Sequence, residues 1–182
     1  MDGATARKTI SEVNLMDYEE FIKVFGNVIE HCLLCAAAVW RYRPFKSVKH
    51  LYEEICTFVD QLPGSGREGI LRSHPDLAGR VAMQGQLTAE STREQRTAGM
   101  ADLTPQERDH LLQMNKRYRE KFGFPFVICA RLNRKDVILE SLEVRLDNPA
   151  EVELEKGIAE VKKICQLRLS DLLESEAVNC RL

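Results

Sequence analysis

The chain has 182 residues, 44% of them hydrophobic and 30% charged, with a formal net charge of −2. Acids and bases are mixed along its whole length without a basic stripe, so nucleic acid or an anionic membrane is not an expected partner. The longest apolar run, Cys32 to Trp40, is nine residues, too short to span a bilayer, and the polar start from Met1 to Lys8 does not resemble a signal peptide.

At this length one domain over residues 1–182 is expected, with flexible tails at 1–10 and 175–182 and about 70% of the unfolded surface buried. The periodicity is helical almost throughout. Asp17 to Phe25 puts Tyr18, Phe21, Ile22 and Phe25 on one face, with Gly26 as the stop. Asn27 is placed to cap a segment reaching about Trp40, which ends before Pro44. Ser47 caps the next, whose Leu51, Ile55, Phe58, Val59 and Leu62 form an amphipathic stripe. Pro63-Gly64-Ser65-Gly66 breaks it, and a short helix from about Arg67 leads to His74.

Beyond Gly79 a less regular stretch precedes Ser91-Thr92-Arg93-Glu94, which reads as a capping box with Ser91 as the cap. Thr104-Pro105-Gln106-Glu107 repeats that signature, with proline at the first helical position and Gly123 as the stop. Phe124 to Ala130 reads as an extended, buried connector. A helix from about Lys135 to Leu146 follows, and Asn148-Pro149-Ala150-Glu151 opens the last and longest, to about Glu174. The expected fold is an all-α, irregular orthogonal bundle of about seven to nine helices.

The six cysteines (32, 35, 56, 129, 165 and 180) lie mostly in hydrophobic surroundings and read as free buried thiols. Cys32-Leu33-Leu34-Cys35 is formally a C-x-x-C, yet no second pair or suitably spaced histidine completes a zinc site, so helix core is preferred to metal or redox chemistry.

Four places combine reactive side chains with a break in pattern. His74 precedes Pro75, where a helix must stop, so its ring is held by a stiff turn. Histidine exchanges protons near neutrality, its unperturbed pKa being about 6.5. The other three histidines, His31, His50 and His110, lie within helical patterns. In the stretch Ser91 to Gln95, Ser91 and Glu94 are explained by capping alone. Phe126, Val127, Ile128, Cys129 and Ala130 read as core, although their backbone groups need partners, for which a small polar heterocycle would serve. Arg168 interrupts an apolar stretch and is either a carboxylate clamp or one half of an ion pair.

Together these places resemble the OHCU decarboxylase family, which decarboxylates 2-oxo-4-hydroxy-4-carboxy-5-ureidoimidazoline to (S)-allantoin. The resemblance rests on His74-Pro75-Asp76-Leu77-Ala78-Gly79, Ser91-x-x-Glu94-Gln95 with Gly99, Lys121-Phe122-Gly123-Phe124-Pro125-Phe126-Val127, and Arg145-Leu146-Asp147-Asn148 leading to Arg168-Leu169. It implies that His74 is the catalytic acid/base and Glu94 its carboxylate partner. Pro75, Ser91 and Gln95 would contact substrate, the backbone of Phe126 to Ala130 its ureido and ring amides, and Arg168 its carboxylate or a ring oxygen. The resemblance further implies a cofactor-free homodimer that binds no metal, and the sequence carries no pyridoxal phosphate, thiamine or metal motif. Cys180-Arg181-Leu182 resembles a peroxisomal address, so an import receptor is an expected partner and the peroxisome the expected location, with the cytosol next. Competing readings are a helical interaction module without catalysis and a hydrolase of a related ureide.

Overall fold

The computed structural model describes residues 6–175. Among them are ten α-helices: α1 (Ile10–Leu15), α2 (Tyr18–Phe25), α3 (Leu33–Val39), α4 (Val48–Gln61), α5 (Gly64–Arg72), α6 (Arg80–Met83), α7 (Ala89–Thr97), α8 (Pro105–Phe122), α9 (Lys135–Arg145) and α10 (Ala150–Leu172). Three short 3₁₀ turns join them, and the only β pairing among the described residues is an isolated bridge between Lys8 and Leu173. The all-α expectation holds. The described residues form two compact units, one of residues 6–63 with 165–175 and one of residues 64–164. The proposed address at Cys180-Arg181-Leu182 lies outside the described residues.

In the first unit, Phe21 packs against Phe25, Trp40 and Phe45 at centroid separations of 4.7, 5.2 and 5.9 Å. Asn14 locks the Phe45 backbone from both sides, its Nδ2 donating to the carbonyl at 2.8 Å and its Oδ1 accepting from the N–H at 2.7 Å. The stretch expected as an N-terminal tail is tied down from Lys8, whose N–H donates to the Leu172 carbonyl at 2.9 Å. That bond satisfies one of the carbonyls a helix end leaves open. Thr9 and Glu12 form a capping box that starts α1, a helix absent from the sequence reading.

Ser47 caps α4 as expected, and Asp17 caps α2. Asn27 behaves differently from expectation. Its Oδ1 accepts from the His31 N–H at 2.9 Å, closing a turn instead of opening a helix. His31 sits at φ +50, a left-handed conformation, and α3 begins only at Leu33. His31 is therefore not on a helix.

In the second unit, α5 starts at Gly64, three residues before the expected Arg67. α8 follows the sequence closely: Thr104 and Glu107 form the capping box, Pro105 opens the helix, and Gly123 ends it at φ +76, where a side chain would be strained. Tyr118, Phe122, Phe124 and Phe126 cluster behind it at 4.5–6.2 Å. Gly157 lets α10 approach α5, since a Cβ there would sit 2.9 Å from a Leu71 methyl.

A buried ionic group anchors the connector after α8. Arg145 donates from Nε to Glu153 at 2.9 Å and from Nη1 to the Val127 carbonyl at 2.8 Å, with its guanidinium 4.6 Å from the Phe126 ring centre. Tyr118 and Asn148 also donate to the Glu153 carboxylate. Burial chiefly, then the bond to Glu153, pushes the Tyr118 hydroxyl above its ordinary pKa. The connector is thus buried as expected and free of helix until Ala130 opens a 3₁₀ turn, and it is held by charge-assisted hydrogen bonds that offset the cost of burying the ions.

Candidate active site

The site grows from the end of α5. The His74 N–H donates to the Leu71 carbonyl at 3.1 Å, the last bond before Pro75 stops the helix. His74 Nδ1 lies 2.9 Å from the Ile70 carbonyl. A carbonyl can only accept, so Nδ1 carries the hydrogen and Nε2 is the nitrogen that takes up a proton. The ring is 6% exposed.

Two helices brace the turn that follows. Arg119 of α8 donates from Nε to both Asp76 oxygens, at 2.8 and 3.0 Å. Asn115, one turn earlier, donates to the Leu77 carbonyl at 3.1 Å, and Gln95 of α7 accepts from the Ala78 N–H at 2.9 Å. Ala78 is held at φ +47, where an L-residue other than glycine pays about 1–2 kcal/mol. A Cβ on Gly79 would fall 2.7 Å from Asp76 Cβ, so the turn cannot close with a larger residue there. The spelling of residues 74–79 is that of a rigid corner.

α7 overturns the capping reading. Its cap is Thr88, whose hydroxyl accepts from the Ser91 N–H at 3.2 Å. Ser91 is then the third helical residue and Glu94 lies in the helix interior. Both are buried, as is Gln95, at 5%, 7% and 7% exposure. Residues three and four apart share a helix face, so α7 buries a polar face that capping does not explain. The charge of Glu94 reaches the connector: burial first, then the carboxylates of Glu160 and Glu94, raises the Cys129 thiol.

Phe126 to Ala130 are all at most 8% exposed. The Cys129 N–H donates to Glu160 at 2.8 Å, so that donor already has a protein partner. Among the described residues, the N–H groups of Val127 and Ile128 have no protein acceptor. Of the sequence candidates, Gln95 is bonded to the His74 corner. A cavity of about 180 Å³ is lined by Ala78, Gln95, Thr92, Arg96 and Arg108 among others, without His74 or Glu94. Among the described residues no group of three or more His, Cys, Asp or Glu is arranged to hold a metal ion.

Arg168 belongs to the other unit. It donates from Nη1 to the Glu30 carboxylate at 2.7 Å and to the Asn27 carbonyl at 2.8 Å, with side-chain exposures of 3% for Arg168 and 1% for Glu30. Of the two readings the sequence leaves open, the ion pair is present. Asn115 and Arg119 escape the sequence reading, because a partner 38 or 43 residues away leaves no local signal.

The OHCU decarboxylase family pattern matches residues 14–170. The chain belongs to the OHCU decarboxylase family. It is 49% identical over 173 residues to 2-oxo-4-hydroxy-4-carboxy-5-ureidoimidazoline decarboxylase of Xenopus laevis, covering 95% of this chain and 99% of that one. The Mus musculus protein of the same name is 51% identical over 171 residues, covering 94% and 96%. The fold is that of a crystal structure of OHCU decarboxylase in the presence of (S)-allantoin, with TM-score 0.66 and 24% identity, covering 87% of this chain and all of that one. Every stretch on which the family resemblance rests lies within the described residues. Two of them, Lys121 to Val127 and Arg145 to Asn148, have structural duties in the connector and its anchor.

Proposed function

We propose that this protein is a carboxy-lyase that converts 2-oxo-4-hydroxy-4-carboxy-5-ureidoimidazoline to (S)-allantoin and carbon dioxide in uric acid degradation. His74 is the acid/base and Glu94 its carboxylate partner. The observation that carries this reading is the buried polar face of α7, tied through Gln95 to the His74 corner and free of any capping duty. Burying ionisable and polar groups costs free energy unless they are bonded or used, and an interaction module gives no reason to gather them at a stopped helix.

The chemistry asks little beyond proton transfer and shape. The scissile carboxylate is attached to a carbon next to a C=N bond. Cleavage sends the electron pair into that bond, carbon dioxide leaves, and an enol-like species remains. A proton delivered to one face of the ureido-bearing carbon sets the (S) centre. His74, with Nδ1–H committed to Ile70, moves protons through Nε2, and a carboxylate at Glu94 stabilises the imidazolium that forms. The N–H groups of Val127 and Ile128 are donors suited to the ring and ureido oxygens, while Pro75 and Ser91 complete the contacts proposed for the substrate.

The deciding experiment supplies freshly generated substrate and follows carbon dioxide release together with the optical activity of the allantoin. Release above the spontaneous rate with one enantiomer formed supports decarboxylation. Ring or ureide hydrolysis without carbon dioxide overturns it. The family resemblance also supports a homodimer, tested by light scattering, and the likeness of Cys180-Arg181-Leu182 to a peroxisomal address supports import, tested by deleting Arg181 and Leu182 from a tagged chain.

A further inference from the structure

The C-x-x-C that the sequence assigns to helix core has the geometry of a redox pair. Cys32 is the last residue before α3, at φ −114 and ψ 73, and Cys35 lies one turn on. Their sulfurs are 3.1 Å apart. Both thiols are free, with Cys32 half-buried and Cys35 fully buried, and the intervening Leu33 and Leu34 are 60% and 63% exposed. Cys32 is thus the more accessible residue of the pair, and Cys35 is sheltered within bonding reach. We propose that Cys32 and Cys35 form a reversible dithiol–disulfide site whose oxidant is hydrogen peroxide.

The step balances without further reactants. The Cys32 thiolate attacks one peroxide oxygen, the S–O bond forms as the O–O bond breaks, and the departing hydroxide takes a proton to leave as water. The Cys35 sulfur then attacks the sulfenic sulfur of Cys32. The S–S bond forms, the S–O bond breaks, and the second oxygen leaves as water with the Cys35 proton. Two thiols lose two electrons and the peroxide gains them.

The local environment assigns the roles. The Cys35 thiol, then the N–H groups of Cys35 and Leu34, hold the Cys32 thiol down to about 6 against the opposing effect of burial. The bond to Cys32, then burial and the neighbouring Cys165, pushes Cys35 far up. At pH 7 a thiol with that value is ~90% thiolate against ~3% for an ordinary thiol. The weaker base is also the weaker nucleophile, with a Brønsted coefficient of about 0.4–0.5. The net advantage over an ordinary thiol is about twofold at pH 7 and about tenfold at pH 6, so the contrast is greatest at the lower pH.

The reduced protein is treated with one equivalent of peroxide at pH 6, blocked with iodoacetamide and mapped by mass spectrometry. A Cys32–Cys35 link that forms before any other cysteine changes, and that dithiothreitol reverses, is expected. Cys35→Ser should halt at a sulfenic acid on Cys32 that dimedone traps, and Cys32→Ser should slow thiol loss about tenfold at pH 6. The proposal is overturned if Cys32 and Cys35 stay alkylatable while other cysteines oxidise, or if a folded Cys35→Ser protein gives no adduct at Cys32. Mapping of the unaltered protein decides the matter by itself if either variant fails to fold.

Discussion

His74 is fixed by its own helix and by a corner braced from α7 and α8, so an asparagine there meets the same backbone. His74→Asn should fold normally and lose at least about a hundredfold of the accelerated reaction, the lower bound for removing a general acid/base. Racemic product from the spontaneous reaction would then dominate, which polarimetry reads directly. Glu94→Gln keeps shape and burial but cannot stabilise an imidazolium, so most turnover should go while the thermal midpoint hardly moves. Arg168 needs a different treatment. Arg168→Met strips the guanidinium from a buried Glu30, and removing one partner of such a pair costs about 3–5 kcal/mol. Chemical denaturation should show that loss, with much of it recovered in Glu30→Gln/Arg168→Met. Arg168→Lys keeps a cation beside Glu30 and discards the planar fork. If Arg168 also binds the ligand, the folded lysine variant should bind allantoin more weakly by roughly 1.5–3 kcal/mol in calorimetry.

At the scale of elements, α7 offers the sharpest test because two capping assignments differ by one turn. Thr88→Ala should cost about 1 kcal/mol of stability, as loss of an N-cap does, whereas Ser91→Ala should cost no cap and should lower activity instead. The reverse pattern would restore the sequence reading. That reading failed because Ser91-x-x-Glu94 satisfies the capping rule in full, and nothing local shows that Thr88 takes the duty first. Asn27 misled in the same way: its side chain caps a turn that ends in a left-handed His31. α4 and α8 were legible from cap, apolar stripe and stop together, and α2, α9 and α10 in their extent, each within a few residues. The His74 corner was legible from Pro75 alone. Its bracing by Asn115 and Arg119 was not, and neither was the clasp of Arg145 on Val127, because each joins residues that only tertiary packing brings together.

Across the whole molecule, buried protonated groups set an alkaline limit. Burial above all, then the neighbouring Cys56, raises the Cys165 thiol in the first unit, and burial likewise raises Cys129 and the Tyr118 hydroxyl in the second. A group raised in the folded state contributes its full stabilisation below its unfolded pKa and loses it as pH climbs toward the folded value. For the thiols that loss begins near pH 8.5, and for the tyrosine near pH 10. Cys32, lowered to about 6, acts in the opposite sense, with its contribution complete above ~8.5 and lost as pH falls through about 6. Each thiol that is ionised in the unfolded chain and protonated in the fold lowers stability by about 1.4 kcal/mol per pH unit. Urea unfolding under reducing conditions should therefore show the midpoint falling between pH 8.5 and 10. Cys165→Ala should be less stable at neutral pH, because it empties a packed site, yet its midpoint should fall less steeply with pH. An unchanged slope in that variant would mean that Cys165 ionises as readily in the fold as in the unfolded chain, and would place the alkaline limit elsewhere.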